Sequence, residues 1–161
     1  MEQKMRRKDR TLPEEEAFSI LNEGEYGILS TVGKDGEPYG IPMSYALDDS
    51  KIYIHGATDC GRKFQNIEEN RKVCFTVVGK TKVLESQFST EYESVIVQGI
   101  AKKILDQEKY IGLLKLVEKY SVDYLESGRT YISKVADKAD VYQIEITAIS
   151  GKARRKNNAR N

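Results

Sequence analysis

The chain has 161 residues, 39% hydrophobic and 32% charged, the size and balance of a single globular domain with a real core. A formal net charge of +1 excludes the strong basic excess of a broad nucleic-acid surface, although cations gather in short tails at both ends, Lys4 to Lys8 and Lys152 to Lys156. No stretch approaches the ~20 apolar residues of a membrane span, and the opening MEQKMRRKDR has no apolar secretory core, so a cytoplasmic protein without membrane or nucleic-acid partners is expected.

Thr11-Leu12-Pro13-Glu14-Glu15-Glu16 offers a capping hydroxyl, a first-turn proline and acidic residues at the positive end of a helix dipole. This predicts a helix to about Asn22, with Ala17, Phe18, Ile20 and Leu21 as its apolar face and Gly24 as its stop. From Tyr26 the period becomes extended: Ile28, Leu29 and Val32 are strand formers, and Asp35-Gly36 is a hairpin turn. A second strand covers roughly Glu37 to Ala46. Its Pro38 and Pro42 donate no ladder hydrogen bonds, so around Pro42 the sheet is expected to open or bulge and leave backbone for a ligand. Asp48-Asp49-Ser50 turns the chain into a third strand, Lys51 to His55, which sets Ile52 and Ile54 on one face and Tyr53 and His55 on the other.

His55 leads through Gly56-Ala57-Thr58-Asp59-Cys60-Gly61-Arg62-Lys63 into a helix with Phe64 and Ile67 inward. Val73 to Val78 reads as a strand buried on both faces. Two more strands are expected, around Val83 to Phe88 and from about Tyr92 to Leu105, the latter with a bulge at Gly99. Asp106 caps a long helix whose Tyr110, Leu113, Leu114, Val117 and Tyr120 form a core stripe. Between Ser121 and Lys138 the pattern is less readable: Asp123-Tyr124-Leu125-Glu126 supports a helical turn, and Ser133 to Asp140 a connection, before a last strand from Val141 to Thr147. Six or seven mostly antiparallel strands with three or four helices suit a closed or split barrel rather than a doubly wound sheet.

One stretch carries chemistry. Glycine permits close backbone approach and a helix start offers free N–H groups, so Gly56, Thr58, Gly61, Arg62 and Lys63 together can seat a phosphate. The spacing is neither a Walker loop nor a dinucleotide fingerprint, and an ordinary strand-to-helix loop is the competing reading. His55, the lone histidine, can stack on or donate to a planar ligand, or serve structure alone. Cys60 and Cys74 fit no metal spacing; Cys74 reads as structural and Cys60 as a minor redox candidate. No nucleophile with a base partner and no catalytic carboxylate pair stands out, so an enzyme built on this chain relies on a bound cofactor.

Six motifs recur in order: Met5-Arg6-Arg7-Lys8-Asp9-Arg10, Gly24 to Thr31, Pro38-Tyr39-Gly40-Ile41-Pro42-Met43, Tyr53-Ile54-His55-Gly56-Ala57, Tyr92-Glu93-Ser94-Val95 and Ser150 to Lys156. Across nearly the whole chain they resemble the 5-nitroimidazole resistance proteins, within the pyridoxamine 5'-phosphate oxidase-like, FMN-binding split barrels. The resemblance implies a single domain, a six-stranded antiparallel split β-barrel with flanking helices, that forms a homodimer with FMN in each of two clefts between subunits. It sets Ile41, Pro42, Met43 and Ser44 along the flavin ring through backbone groups, with His55, Gly56 and Ala57 following. It puts Lys63, and less directly Arg62, on the phosphate. Tyr92 and Ser94 lie near the cofactor, with the supplying subunit left open, and Lys152 and Arg154 approach it. His55 matches the histidine tied to nitroimidazole reduction, which makes it the catalytic candidate. The implied activity is FMN-dependent reduction of a nitro-aromatic or similar small planar acceptor. Oxidation of a pyridoxamine-like phosphate, or an FMN- or haem-binding carrier or sensor without turnover, are the alternatives. Within the loop, Cys60 is the one departure from the family pattern.

Overall fold

The computed structural model describes residues 7–58 and 61–155; Asp59 and Cys60, with the redox role considered for Cys60, lie outside the described residues, as do the outer parts of both basic tails. Eight strands form one antiparallel sheet: β1 (Thr11–Leu12), β2 (Gly27–Val32), β3 (Pro38–Met43), β4 (Ala46–Asp48), β5 (Lys51–Ala57), β6 (Lys72–Leu84), β7 (Ser89–Ile104) and β8 (Ala139–Arg154). The helices are α1 (Glu14–Glu23), α2 (Gly61–Glu69), α3 (Asp106–Tyr120) and α4 (Leu125–Val135).

The strand order is β3-β2-β6-β7-β8-β5-β4, with β1 added to the end of β8. Its two outermost strands, β3 and β4, are joined by Ser44 and Tyr45 alone. A chain that short forces the sheet to curl until its edges approach, which closes a barrel that has no ladder across one seam. Tyr45 fills that seam: it is fully buried, its hydroxyl donates to the Leu21 carbonyl, and its ring meets Phe75 edge-on at 4.9 Å between centroids. Alternate residues of each strand point inward, among them Leu29, Ile52, Ile54, Phe75, Val97 and Ile144, and make the main core. On the other face of β5, Tyr53 packs with Ile104, Leu113, Ile132 and Val141 in a second core beneath α3 and α4. The expected alternation along this strand therefore holds, and it turns His55 toward the helical layer.

The mainly β split barrel is the expected fold, but it has eight strands rather than six. The strand expected over Glu37 to Ala46 is broken at Ser44 into β3 and β4; the strand expected from Val73 runs on to Leu84 as β6, while the one expected over Val83 to Phe88 does not form, since Glu85–Gln87 is a 3-10 turn and Phe88 is left-handed; and the two-residue β1 pairs with β8. β6 is not buried on both faces: Val73, Phe75 and Val77 are inside, Cys74 and Thr76 are half-buried, and Val78 is 60% exposed, because no layer covers the outer side. Nor does Pro42 interrupt the sheet. It pairs with Ile28 in unbroken register, and its missing N–H costs nothing on an edge strand. The bulge at Gly99 is present, with the register slipping between Gln98 and Gly99. The N-cap positions of α1 and α3 fall on Pro13 and Leu105, neither with a side-chain cap hydrogen bond, rather than on Thr11 and Asp106. The helical turn expected at Asp123 to Glu126 grows into the helix α4, which runs into the connection expected from Ser133 to Asp140. Ile132 is its single fully buried residue, too thin a stripe to read from the pattern.

Candidate functional site

The end of β5 delivers His55, Gly56 and Ala57 to one wall of a cavity of about 570 Å3. Ser44, at the barrel seam, joins them, and α3 and α4 supply a mostly apolar opposite wall that includes Leu116, Val117, Tyr120 and Tyr131. Just beyond, α2 begins at Gly61 in a left-handed conformation (φ 81°), which glycine adopts without strain. Lys63 lies in its first turn, with Nζ 4.5 Å from the centroid of Phe64. A Cβ on Gly56 would sit 2.8 Å from the Phe64 ring and 3.5 Å from Cε of Lys63, so a glycine is needed for α2 to dock this closely. Phe64 is itself stacked on Tyr142, 4.3 Å between centroids.

Lys63 is half-buried, and among the described residues no carboxylate pairs with it. The donor set at this loop therefore fits an anion. Partial burial of His55 in the cavity wall, and then the nearby Lys63 cation, hold the imidazole below its ordinary pKa, so it is neutral at pH 7. Thr58 is occupied in anchoring the loop: its N–H donates to the Lys138 carbonyl at 3.1 Å and its hydroxyl to the Asp137 carbonyl at 3.3 Å. Arg62 turns away toward the β2–β3 hairpin, where it reaches Asp35 at 3.1 Å and Glu37 at 3.0 Å and stands over the Tyr39 ring.

The other candidates divide by place. Ile41 and Met43 point into the barrel core, Pro42 points outward, and the free backbone edge of β3 runs past all three to Ser44. Tyr92, Ser94 and Lys152 form a group of their own: Ser94 faces Lys152 in the β7–β8 ladder and Tyr92 faces Arg154. His55 is paired with Val141, near the opposite end of β8. At ~3.3 Å per residue, Val141 and Lys152 are up to ~36 Å apart along that strand. One protomer does not bring the two groups together. Tyr120 and Tyr131 escaped the sequence reading, the first because its helical spacing is that of an ordinary core stripe, the second because nothing marked α4.

A curled antiparallel sheet, split at one seam, with a glycine- and lysine-bearing loop at a helix start, has the architecture of the flavin-binding split barrels. The chain belongs to the pyridoxamine 5'-phosphate oxidase family, whose model matches residues 13–153, and whose members are flavin-binding oxidoreductases. A 5a,11a-dehydrotetracycline/5a,11a-dehydrooxytetracycline reductase of Streptomyces rimosus is 41% identical over 64 residues, 37% of this chain and 44% of that relative. The matched stretch thus spans less than half the relative's length. A candidate 5-nitroimidazole antibiotic resistance protein of Bacteroides thetaiotaomicron superposes with a TM-score of 0.72 at 20% identity, over 89% of this chain and 86% of that one. An FAD and haem binding protein of Mycobacterium smegmatis superposes with a TM-score of 0.78 at 19% identity, over 89% and 72%. At such identities these two structures share the fold alone.

Proposed function

We propose that the protein is a cytoplasmic FMN-dependent oxidoreductase that works as a homodimer and reduces a nitro-aromatic or similar small planar acceptor. The observation that carries this reading is the half-buried Lys63, without a carboxylate partner among the described residues, next to Gly56 and His55, which line the cavity. Lys63 and the N–H groups of the first turn of α2 hold the phosphate, while Arg62, already engaged by Asp35 and Glu37, contributes less. The ring lies along the backbone edge from Ile41 through Pro42 and Met43 to Ser44, with His55, Gly56 and Ala57 beside it. When bound, the flavin supplies hydride transfer. The neutral His55 orients the acceptor through a ring N–H, its imidazolium form supplies a proton to the acceptor as pH falls, and the apolar helical wall keeps water from the reacting face.

The homodimer accounts for the separated group. Tyr92, Ser94 and Lys152 lie on the outward face of the sheet, which also carries Pro42, Cys74, Val78 and Ile96, the last 47% exposed. Pairing two protomers through this face lets one supply Tyr92, Ser94 and Lys152 to the flavin of the other. The relative from Streptomyces rimosus, a reductase by name, supports reduction over oxidation of a pyridoxamine-like phosphate. Among the described residues no helix is long and apolar enough to cross a membrane.

The absorption spectrum of freshly purified protein is the first test. Oxidised-flavin bands, or their appearance on adding FMN, are expected; a colourless protein that takes up no flavin overturns the reading. Photoreduced, anaerobic holoprotein should then be reoxidised by a 5-nitroimidazole. If it stays reduced in the presence of nitro-aromatic acceptors, the reductase assignment fails and a carrier role stands.

A further inference from the structure

A second cleft, of about 590 Å3, opens at the far end of β8, between Arg7–Leu12 and Ala153–Arg155. Four arginines line it, with Lys152 two residues before Arg154 on β8, and two of these five cations are neutralised. Arg7 is forked onto Asp9 at 2.6 and 2.8 Å, and Arg155 holds Glu93 at 2.7 Å and also Glu16. Arg10, Lys152 and Arg154 are different. All three are half-buried, and no carboxylate among the described residues pairs with any of them. Strand pairing holds them together: Thr11 faces Lys152 across the β1–β8 ladder, and Tyr92 faces Arg154 across β7–β8. The backbone there is tightly seated, since a Cβ on Gly151 would lie 2.9 Å from that of Ala17.

Arg10 and Lys152 share a neutral phenol, that of Tyr92, which is the cross-strand neighbour of Arg154. Arg10 donates to the Tyr92 hydroxyl at 3.4 Å, and this contact, with Lys152 beside it, holds the phenol below its ordinary pKa. A phenol is a weak acceptor for three convergent charges whose mutual repulsion is otherwise unrelieved, whereas a phosphoryl group relieves it and matches the planar fork of arginine. The space exceeds what one phosphate fills and falls within the ~300–1,000 Å3 of sites that hold whole small molecules.

We infer that this cleft is a second anion-binding site, separate from the Lys63 seat, that takes a ligand of the nucleoside diphosphate class on Arg10, Arg154 and Lys152. The inference does not depend on the flavin reading. Lys152 and Arg154, which the family resemblance sets near a flavin, are the residues the two sites share, so flavin uptake is followed in a variant that leaves both intact.

Full-length protein is titrated calorimetrically with ADP and with inorganic pyrophosphate, in the absence of FMN and at saturating FMN. ADP should bind in both states, and the Arg10→Gln/Arg154→Gln double variant should bind it at least ~10-fold more weakly, as expected for lost charge-assisted contacts. FMN uptake by Arg10→Gln alone, read from visible absorbance, should be unchanged, and Lys63→Ala should leave ADP binding unchanged. If the double variant is not folded by circular dichroism, Arg10→Gln alone should weaken ADP at least ~3-fold. The proposal is overturned if wild-type protein binds neither ADP nor pyrophosphate, if binding survives these variants, or if Lys63→Ala or FMN abolishes it. Wild-type protein that binds ADP but no FMN would sink the flavin reading and leave this site standing.

Discussion

The hydroxyl of Tyr120 accepts the backbone N–H of Tyr45 at 3.0 Å, so the last turn of α3 holds the point where the two edges of the sheet are joined. Its own proton reaches the Glu25 carbonyl at 2.6 Å, with the Tyr45 carbonyl at 3.0 Å. Tyr120→Phe leaves the Tyr45 N–H without that acceptor and is expected to cost about 1–2 kcal/mol. A lowered urea midpoint with unchanged slope checks this; an unchanged midpoint would mean that water replaces the hydroxyl.

Beside the seam, Nζ of Lys119 is buried without a hydrogen-bond partner, 3.7 Å over the ring of Tyr45. Burial pulls its pKa down from 10.5 to about 8. The unfolded chain therefore binds more protons between these two values, and stability rises with pH across that window. Below it the buried ammonium is a standing cost. Lys119→Met should raise Tm at pH 7, and its advantage should shrink as pH rises from 8 toward 10.5. A variant less stable at pH 7 would show that the contact with Tyr45 outweighs burial.

His55 titrates in the opposite part of the range. Burial, and then Lys63, lower its pKa beneath the 6.5 of a free histidine, so the unfolded chain takes up the proton first as pH falls. The stabilisation is fully present above pH 6.5 and is lost as pH drops through the folded value. Tm followed from pH 7.5 to 5 should fall less steeply for His55→Gln than for the parent protein. Parallel curves would place the ring in bulk solvent.

Lys63 and Arg62 are adjacent in sequence but face different partners. Lys63→Ala should weaken FMN by roughly 1–3 kcal/mol, the loss of a charge-assisted contact, measured by quenching of flavin fluorescence. Arg62→Ala should weaken it less, because Asp35 and Glu37 already hold that guanidinium. Equal losses would put both side chains on the phosphate.

Ile96 tests the proposed pairing face. It lies opposite Thr76 and Ser150 on the uncovered side of the sheet. Ile96→Asp should shift the protein from dimer to monomer in sedimentation, and FMN uptake should fall with it. A monomer that binds FMN as tightly as the parent would remove the partner's Tyr92, Ser94 and Lys152 from the site.

Much of this was readable from residue types at short range. The alternation of Ile52 and Ile54 against Tyr53 and His55 was legible because a strand repeats every two residues. The turn at Asp35-Gly36 and the bulge at Gly99 followed from backbone freedom at single positions. The close approach at Gly56 and the left-handed backbone at Gly61 were legible for the same reason. Less accessible were the half-covered β6, whose apolar residues occupy both faces, and α4, whose burial rests on Ile132.

From residue order alone came the strand period, the turns, and the glycines and lysine of one loop, since each depends on constraints a few bonds long. Closure of the sheet around Ser44 and Tyr45 settled the rest. It set Tyr120 against the seam, sent Arg62 to Asp35 and Glu37 rather than toward Lys63, and brought Arg10 from one end of the chain to Lys152 and Arg154 at the other. Such meetings depend on which strands pair and in what register, and that is decided by burying one face of the whole sheet at once.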